Sequence, residues 1–269
     1  MPAGWWIEVG RFRGGPPPLA KSPDIWRLIA QGASTTEGFG TARDDLVWPA
    51  LLERRLAHRK RSTGVEVINA GIGGSTTLGM LMNLKHVLVD YDPDAVLIYA
   101  GGNDATYSFG PRTERELYDL AAARRGPLRL ADRLSMTRLL RQTWHGWAAA
   151  REEIVPKRSV ERVPAVPLAD FRKNLEEIAE VGKARGLALA FVFEAAPEPY
   201  ADYPEVMAGA ARDNGLPFLD ASTRLHTCDE SLADLFIDQA HYTAAGNRCV
   251  ARILADFLEE ENFLPEARP

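Results

Sequence analysis

The sequence predicts an α/β protein in which a parallel sheet is covered by helices on both faces. Three observations carry this. Short apolar runs alternate with amphipathic stretches along most of the chain. The run Ala95-Val96-Leu97-Ile98-Tyr99-Ala100 is apolar without alternation, the pattern of a strand buried on both sides. The first three apolar runs also end in glycine or asparagine, the residues that turn a chain out of a strand. Regular alternation of this kind favours parallel pairing, because each crossover supplies a helix to cover a face.

The elements follow in order. Residues 1–24 read as an irregular, extended arm, marked by Gly14-Gly15-Pro16-Pro17-Pro18. Trp26–Ala30 is the first strand, closing in Gly32. A helix from about Asp45 to His58 has an apolar side of Leu46, Ala50, Leu51 and Leu52. Val65–Ile68 is the second strand, and a helix through Leu78, Leu81, Met82 and Val87 leads to Pro93 and the strand at 95–100. Further on come a helix over 169–185, a strand Leu187–Phe193, a helix near 203–213, a strand Pro217–Leu219 and a long helix from about Thr243 to Glu260. The working division is an arm at 1–24 and one domain at 25–265.

One stretch breaks the rhythm. Between about 105 and 165 the pattern is helical with a proline-containing tail, and it holds 12 Lys and Arg against 7 Asp and Glu. An insertion directly after a strand end sits where lids commonly lie. Its stripe of Met136, Leu139, Leu140, Thr143, Trp144 and Trp147 either packs it on the body or lines a substrate pocket.

Composition narrows the function classes. Hydrophobic residues make up 46% and charged residues 26% of the 269, enough apolar material for a full core. A formal net charge of -5 gives no overall bias toward nucleic acid. No run approaches the roughly 18 apolar residues of a membrane span. The charged residues Glu8, Arg11 and Arg13 interrupt the start of the chain before an export signal develops, so the chain reads as cytoplasmic. Cys228 and Cys249, with no histidine-rich partner set, read as free thiols in a reducing compartment.

Four strand ends carry residues with chemistry. Ser34, in Gly32-Ala33-Ser34-Thr35-Thr36, either presents a nucleophilic hydroxyl or caps the following helix. Asn69-Ala70-Gly71-Ile72-Gly73-Gly74 lets backbone N–H groups approach a ligand. A dinucleotide loop is the rival there, but its third glycine would fall at Thr76. Gly101-Gly102-Asn103-Asp104 either aims a neutral carboxamide at a developing oxyanion or is a plain turn. Asp238-Gln239-Ala240-His241 sets a carboxylate three residues ahead of a histidine, which orients the ring as a base or merely caps a helix.

Taken together, the four blocks resemble the SGNH (GDSL-like) hydrolase family. Gly101–Asp104 matches the GxND block and Asp238–His241 the DxxH block. Gly74, five residues after Asn69, matches the glycine block. The usual Gly-Asp-Ser is replaced by Gly32-Ala33-Ser34, similar to a branch reading Gly-Gly-Ser-Thr-Thr. The resemblance covers about residues 25–260 and leaves the 105–165 insertion outside. It implies a three-layer, flavodoxin-like open sheet of about five strands. It also implies a Ser34–His241–Asp238 triad and an oxyanion hole formed by Ser34 N–H, Gly74 N–H and the Asn103 amide. A G-x-S-x-G elbow would need glycine where Thr36 stands, which argues against the α/β-hydrolase fold.

The expected activity is hydrolysis of a carboxylic ester, a short acyl or O-acetyl group on a small molecule or carbohydrate, with no metal or organic cofactor. Acyl transfer from the same acyl-enzyme and a non-catalytic binding module are the alternatives.

Overall fold

A computed structural model describes residues 12–59, 64–106, 112–123, 163–198 and 200–264. Its centre is a five-stranded sheet in the order β2-β1-β3-β4-β5, every neighbouring pair parallel. The strands are β1 (Ile25–Gly32), β2 (Gly64–Gly71), β3 (Ala95–Ala100), β4 (Ala188–Phe193) and β5 (Phe218–Asp220). The helices are α1 (Ser34–Glu37), α2 (Trp48–Arg59), α3 (Thr77–His86), α4 (Gly102–Ala105), α5 (Glu114–Ala123), α6 (Leu168–Arg185), α7 (Tyr203–Asp213), α8 (Leu232–Leu235) and α9 (Ala244–Glu260).

Each strand's alternate residues feed two separate cores. On one face Leu28 and Ala30 of β1, Leu97 and Tyr99 of β3 and Val192 of β4 pack with Trp48, Leu52 and Leu56 of α2 and Val250, Leu254 and Phe257 of α9. On the other, Ile29, Val96, Ile98, Phe191 and Phe193 pack with Leu81 of α3, Phe171 and Leu175 of α6 and Met207 of α7. A strand covered twice must be apolar at every position, which is why β3 is buried throughout.

The strand order places the functional edge. The chain steps from β1 outward to β2, then crosses back to β3 on the other side of β1. Loops after β1 and β3 therefore leave in opposite directions, and a crevice opens between them at the carboxyl ends. Gly32 is registered with Gly71 on one side and Tyr99 on the other, so the loops that follow all three strands meet there.

The arm is irregular over its described residues, yet it is anchored. Phe12 lies edge-on to Tyr91 at 4.7 Å, and the buried Arg27 holds the carbonyls of Pro18 and Leu19 at 3.0 and 3.1 Å. Cys228 and Cys249 are not free thiols. They form a disulfide with Cα atoms 5.7 Å apart, because the turn before α8 lies against α9. Of the 105–165 insertion only its two ends, α5 included, are described, and the Met136–Trp147 stripe lies outside the described residues. Among those residues no helix is long and apolar enough to cross a membrane.

Candidate active site

Ser34 opens the single turn of α1, directly beyond β1, and is half-buried. Its turn packs tightly over the neighbouring strand end. A Cβ on Gly71 would collide with the backbone of Thr36 and Glu37, so only glycine permits this approach. Asn69 stitches the two together, donating from Nδ2 to Thr36 O at 2.8 Å while its Oδ1 accepts Gly71 N–H at 3.0 Å.

From the far side of the sheet edge comes His241. Its Nε2 is 2.9 Å from Ser34 Oγ and its Nδ1 is 2.8 Å from Asp238 Oδ2. The three side chains that the sequence singled out thus form one hydrogen-bonded row. Asp238 also accepts the backbone N–H groups of Ala240 and His241, each at 2.8 Å. Those bonds, led by His241 N–H and aided by the ring, hold the exposed Asp238 carboxyl down to about 2. It is therefore ionised at neutral pH.

The loop carrying this pair is closed on itself. Ile237 N–H donates to His241 O at 2.8 Å, Thr243 N–H to Leu235 O at 2.9 Å, and Phe236 bridges Tyr242. Tyr242 then plugs the loop into the sheet. Its hydroxyl donates to Ala195 O at 2.7 Å and lies 2.7 Å from Tyr99 Oη, which accepts Ala195 N–H at 2.9 Å. Burial raises both phenols well above their usual range, so this ring of bonds keeps its protons.

Two of the expected oxyanion donors, Gly74 and Asn103, lie on turns that meet at Ser75. Gly74 adopts φ +74° in a turn closed by Ser75 N–H to Ile72 O at 3.0 Å, a conformation that L side chains avoid. The neighbouring Gly73 N–H is occupied by Glu37 Oε2 at 3.0 Å. Asn103 is held by one amide hydrogen, donated to Ser75 O at 2.9 Å, which leaves the other for a ligand. Its neighbour Asp104 is buried and accepts Thr77 N–H at 2.9 Å and Thr77 Oγ1–H at 2.5 Å. Burial lifts Asp104 to about 8, with Glu114 and Glu194 adding to the effect and the Thr77 bonds opposing it.

Comparison with known proteins bears on this edge of the sheet. Residues 30–249 match the model of the GDSL-like Lipase/Acylhydrolase family. The chain belongs to that family.

This GDSL-like chain is 32% identical over 112 residues to thioesterase 1/protease 1/lysophospholipase L1 of Escherichia coli (strain K12), covering 40% of this chain and 51% of that protein. It is 33% identical over 84 residues to esterase TesA of Pseudomonas aeruginosa, covering 31% and 39%. The match thus spans about half of the first of these curated relatives and 39% of the second. Among solved structures, a lipase/acylhydrolase from Enterococcus faecalis superposes with a TM-score of 0.56 at 19% identity, over 88% of this chain and 96% of that one. A two-domain esterase active on acetylated mannans gives 0.58 at 16% identity, over 91% and 52%. At such identities the likeness shows a shared fold.

Sequence reasoning missed several residues of this family member's site. Arg13, from the arm, spreads its guanidinium over the carbonyls of Glu37 (2.6 Å), Gly38 (2.8 Å) and Thr41, at the end of the nucleophile turn. Nothing local to Arg13 signals this. Glu194 follows β4 and lies buried behind Thr35 and Gly102, and its only sequence signal is a lone carboxylate ending an apolar strand. Phe39, largely exposed, sets its ring 4.5 Å from that of His241.

Proposed function

We propose that the protein is a serine-dependent hydrolase of carboxylic esters. The observation that carries this reading is the unbroken row Ser34 Oγ, His241, Asp238 at 2.9 and 2.8 Å. His241 Nε2 takes the proton as Ser34 Oγ attacks the carbonyl carbon, and Asp238 stabilises the imidazolium that results. The oxyanion is met by the N–H groups of Ser34 and Gly74 and by the free amide hydrogen of Asn103. His241 then returns its proton to the departing alcohol, leaving an acyl-enzyme. Water, deprotonated by the same ring, releases the acid and restores Ser34.

The substrate class is a short acyl or O-acetyl ester on a small molecule or carbohydrate. Support comes from the named activities of the relatives, thioesterase and esterase, and from a fold neighbour that acts on acetylated mannans. Phe39, largely exposed, sets its ring 4.5 Å from that of His241 and offers an apolar surface beside the base, with the exposed Ile237 packed near Gly40.

A fluorophosphonate probe read by intact mass tests the reading. Wild type takes a single adduct and Ser34→Ala takes none, while ester turnover by the variant drops at least ~10⁴-fold. A folded wild type that neither labels nor cleaves p-nitrophenyl acetate refutes it.

A further inference from the structure

Among the described residues, Glu194 is the one buried carboxylate that bonds both the Ser34 turn and the Asn103 turn and that the proposed chemistry does not use. It is 6% exposed and follows directly on the buried strand β4. Its Oε2 accepts Thr35 Oγ1–H at 2.9 Å, and its Oε1 accepts Gly102 N–H. Thr35 is the residue after Ser34, and Gly102 is the residue before Asn103. We propose that Glu194 is a positioning residue for ester cleavage, a strut that fixes the nucleophile turn and the Asn103 turn at one separation. This rests on the hydrolase reading above.

The energetics favour a positional device over a packing accident. Among the described residues no Lys, Arg or His lies within ion-pair distance of Glu194. A buried carboxylate without a cation costs stability, and an apolar residue would fill the place at less cost. Burial accordingly raises the carboxyl from its usual range, while the Thr35 and Gly102 bonds pull the other way. Gly102 completes the fit, because a Cβ there would run into the Glu194 carboxylate. Ser34 and Asn103 are otherwise joined through the backbones of β1 and β3 and through the 72–75 turn, where Asn103 Nδ2 donates to Ser75 O and Gly73 N–H donates to Glu37 Oε2. A site of this kind needs its groups held within about 0.5 Å.

The strut works by shape, so its charge is dispensable. Glutamine can keep both bonds, its Oε1 accepting Gly102 N–H and its amide donating to the rotatable Thr35 hydroxyl. Alanine keeps neither. The ionisable groups near Glu194 are His241, Asp104, Tyr99, Tyr200 and Tyr242, and a role through charge would show first in the pH profile of the His241 base.

The experiment measures kcat and KM for p-nitrophenyl acetate, the fluorophosphonate labelling rate and the pH–rate profile on the full chain. It compares wild type, E194A, E194Q and T35V, each checked by thermal melting. Displacing the groups by even 1 Å costs about 10²-fold, so E194A should lose that much in kcat and labelling rate with KM within about twofold. T35V, which removes one of the two bonds, should lose about 10-fold, and E194Q should stay within about threefold with an unmoved pH profile. If E194A does not fold, E194Q and T35V decide. An E194A or T35V that keeps wild-type kcat overturns the strut alone. So does an E194Q that is as damaged as E194A, or one with a displaced profile. A wild type that neither turns over nor labels overturns the hydrolase reading, and the strut falls with it.

Discussion

The two arms of the site are held in place by opposite means. Ser34 is fixed from far away: by Arg13 in the arm, by Asn69 and Gly71 at the end of β2, and by Glu194 at the end of β4 through Thr35. Asp238 and His241 are fixed from nearby. Each bond that Asp238 accepts comes from within three residues, and the loop around the pair closes between Leu235 and Thr243. A disulfide between Cys228 and Cys249 brackets that loop from outside. The difference teaches that the Asp238–His241 pair is a local motif docked on the sheet by Tyr242, whereas the Ser34 turn is a product of the whole fold.

Removing the charge of the local arm is expected to have the largest effect. Asp238→Asn can still accept N–H bonds but cannot stabilise the imidazolium, and kcat should fall by about 10²–10⁴ with KM nearly constant. Steady-state kinetics at neutral pH check this, and a loss below fivefold would show that the loop backbone alone orients His241. On the distant arm, Arg13→Ala leaves the carbonyls of Glu37, Gly38 and Thr41 without their cation. Kcat should drop about 10-fold through misplacement of Ser34, while His241 and Asp238 are untouched. An unchanged labelling rate in that variant would make the arm irrelevant to the nucleophile.

The smallest effect separates the arms by pH. Asp104, buried next to Asn103 and bonded to Thr77, is lifted to about 8 by burial, against about 3.9 in an unfolded chain. Between those values the folded chain holds a proton that the unfolded chain has released. Stability therefore falls as pH rises from about 4 to about 8 and levels off above that. Asp238, held down to about 2, contributes no slope in this window. Asp104→Asn should flatten the dependence, seen as a smaller difference between urea midpoints at pH 5 and pH 8. An equal slope in both proteins would assign it to another group.

The same contrast explains what the sequence reveals. The strands and long helices were legible because a doubly covered sheet forces unbroken apolar runs such as Ala95–Ala100, and because crossover helices need one apolar side. The Asp238–His241 pair was legible because its geometry is contained in four consecutive residues. Glu194 and Arg13 were not, since their partners lie 159 and 24–28 residues away and only the folded sheet brings them together. The cysteines misled for a related reason. A count of two excludes a disulfide-rich scaffold but says nothing about whether two particular thiols meet.

Arg13 gives the molecule two different outlines. The family match begins at residue 30 and the first strand at Ile25, so both leave the arm outside the sheet. A chain trimmed at Ile25 would keep all five strands and the complete Ser34–His241–Asp238 row. It would lose the guanidinium that closes the turn behind the nucleophile. If Arg13→Ala slows labelling as expected, such a fragment would keep the strands and lose part of what holds Ser34 in place.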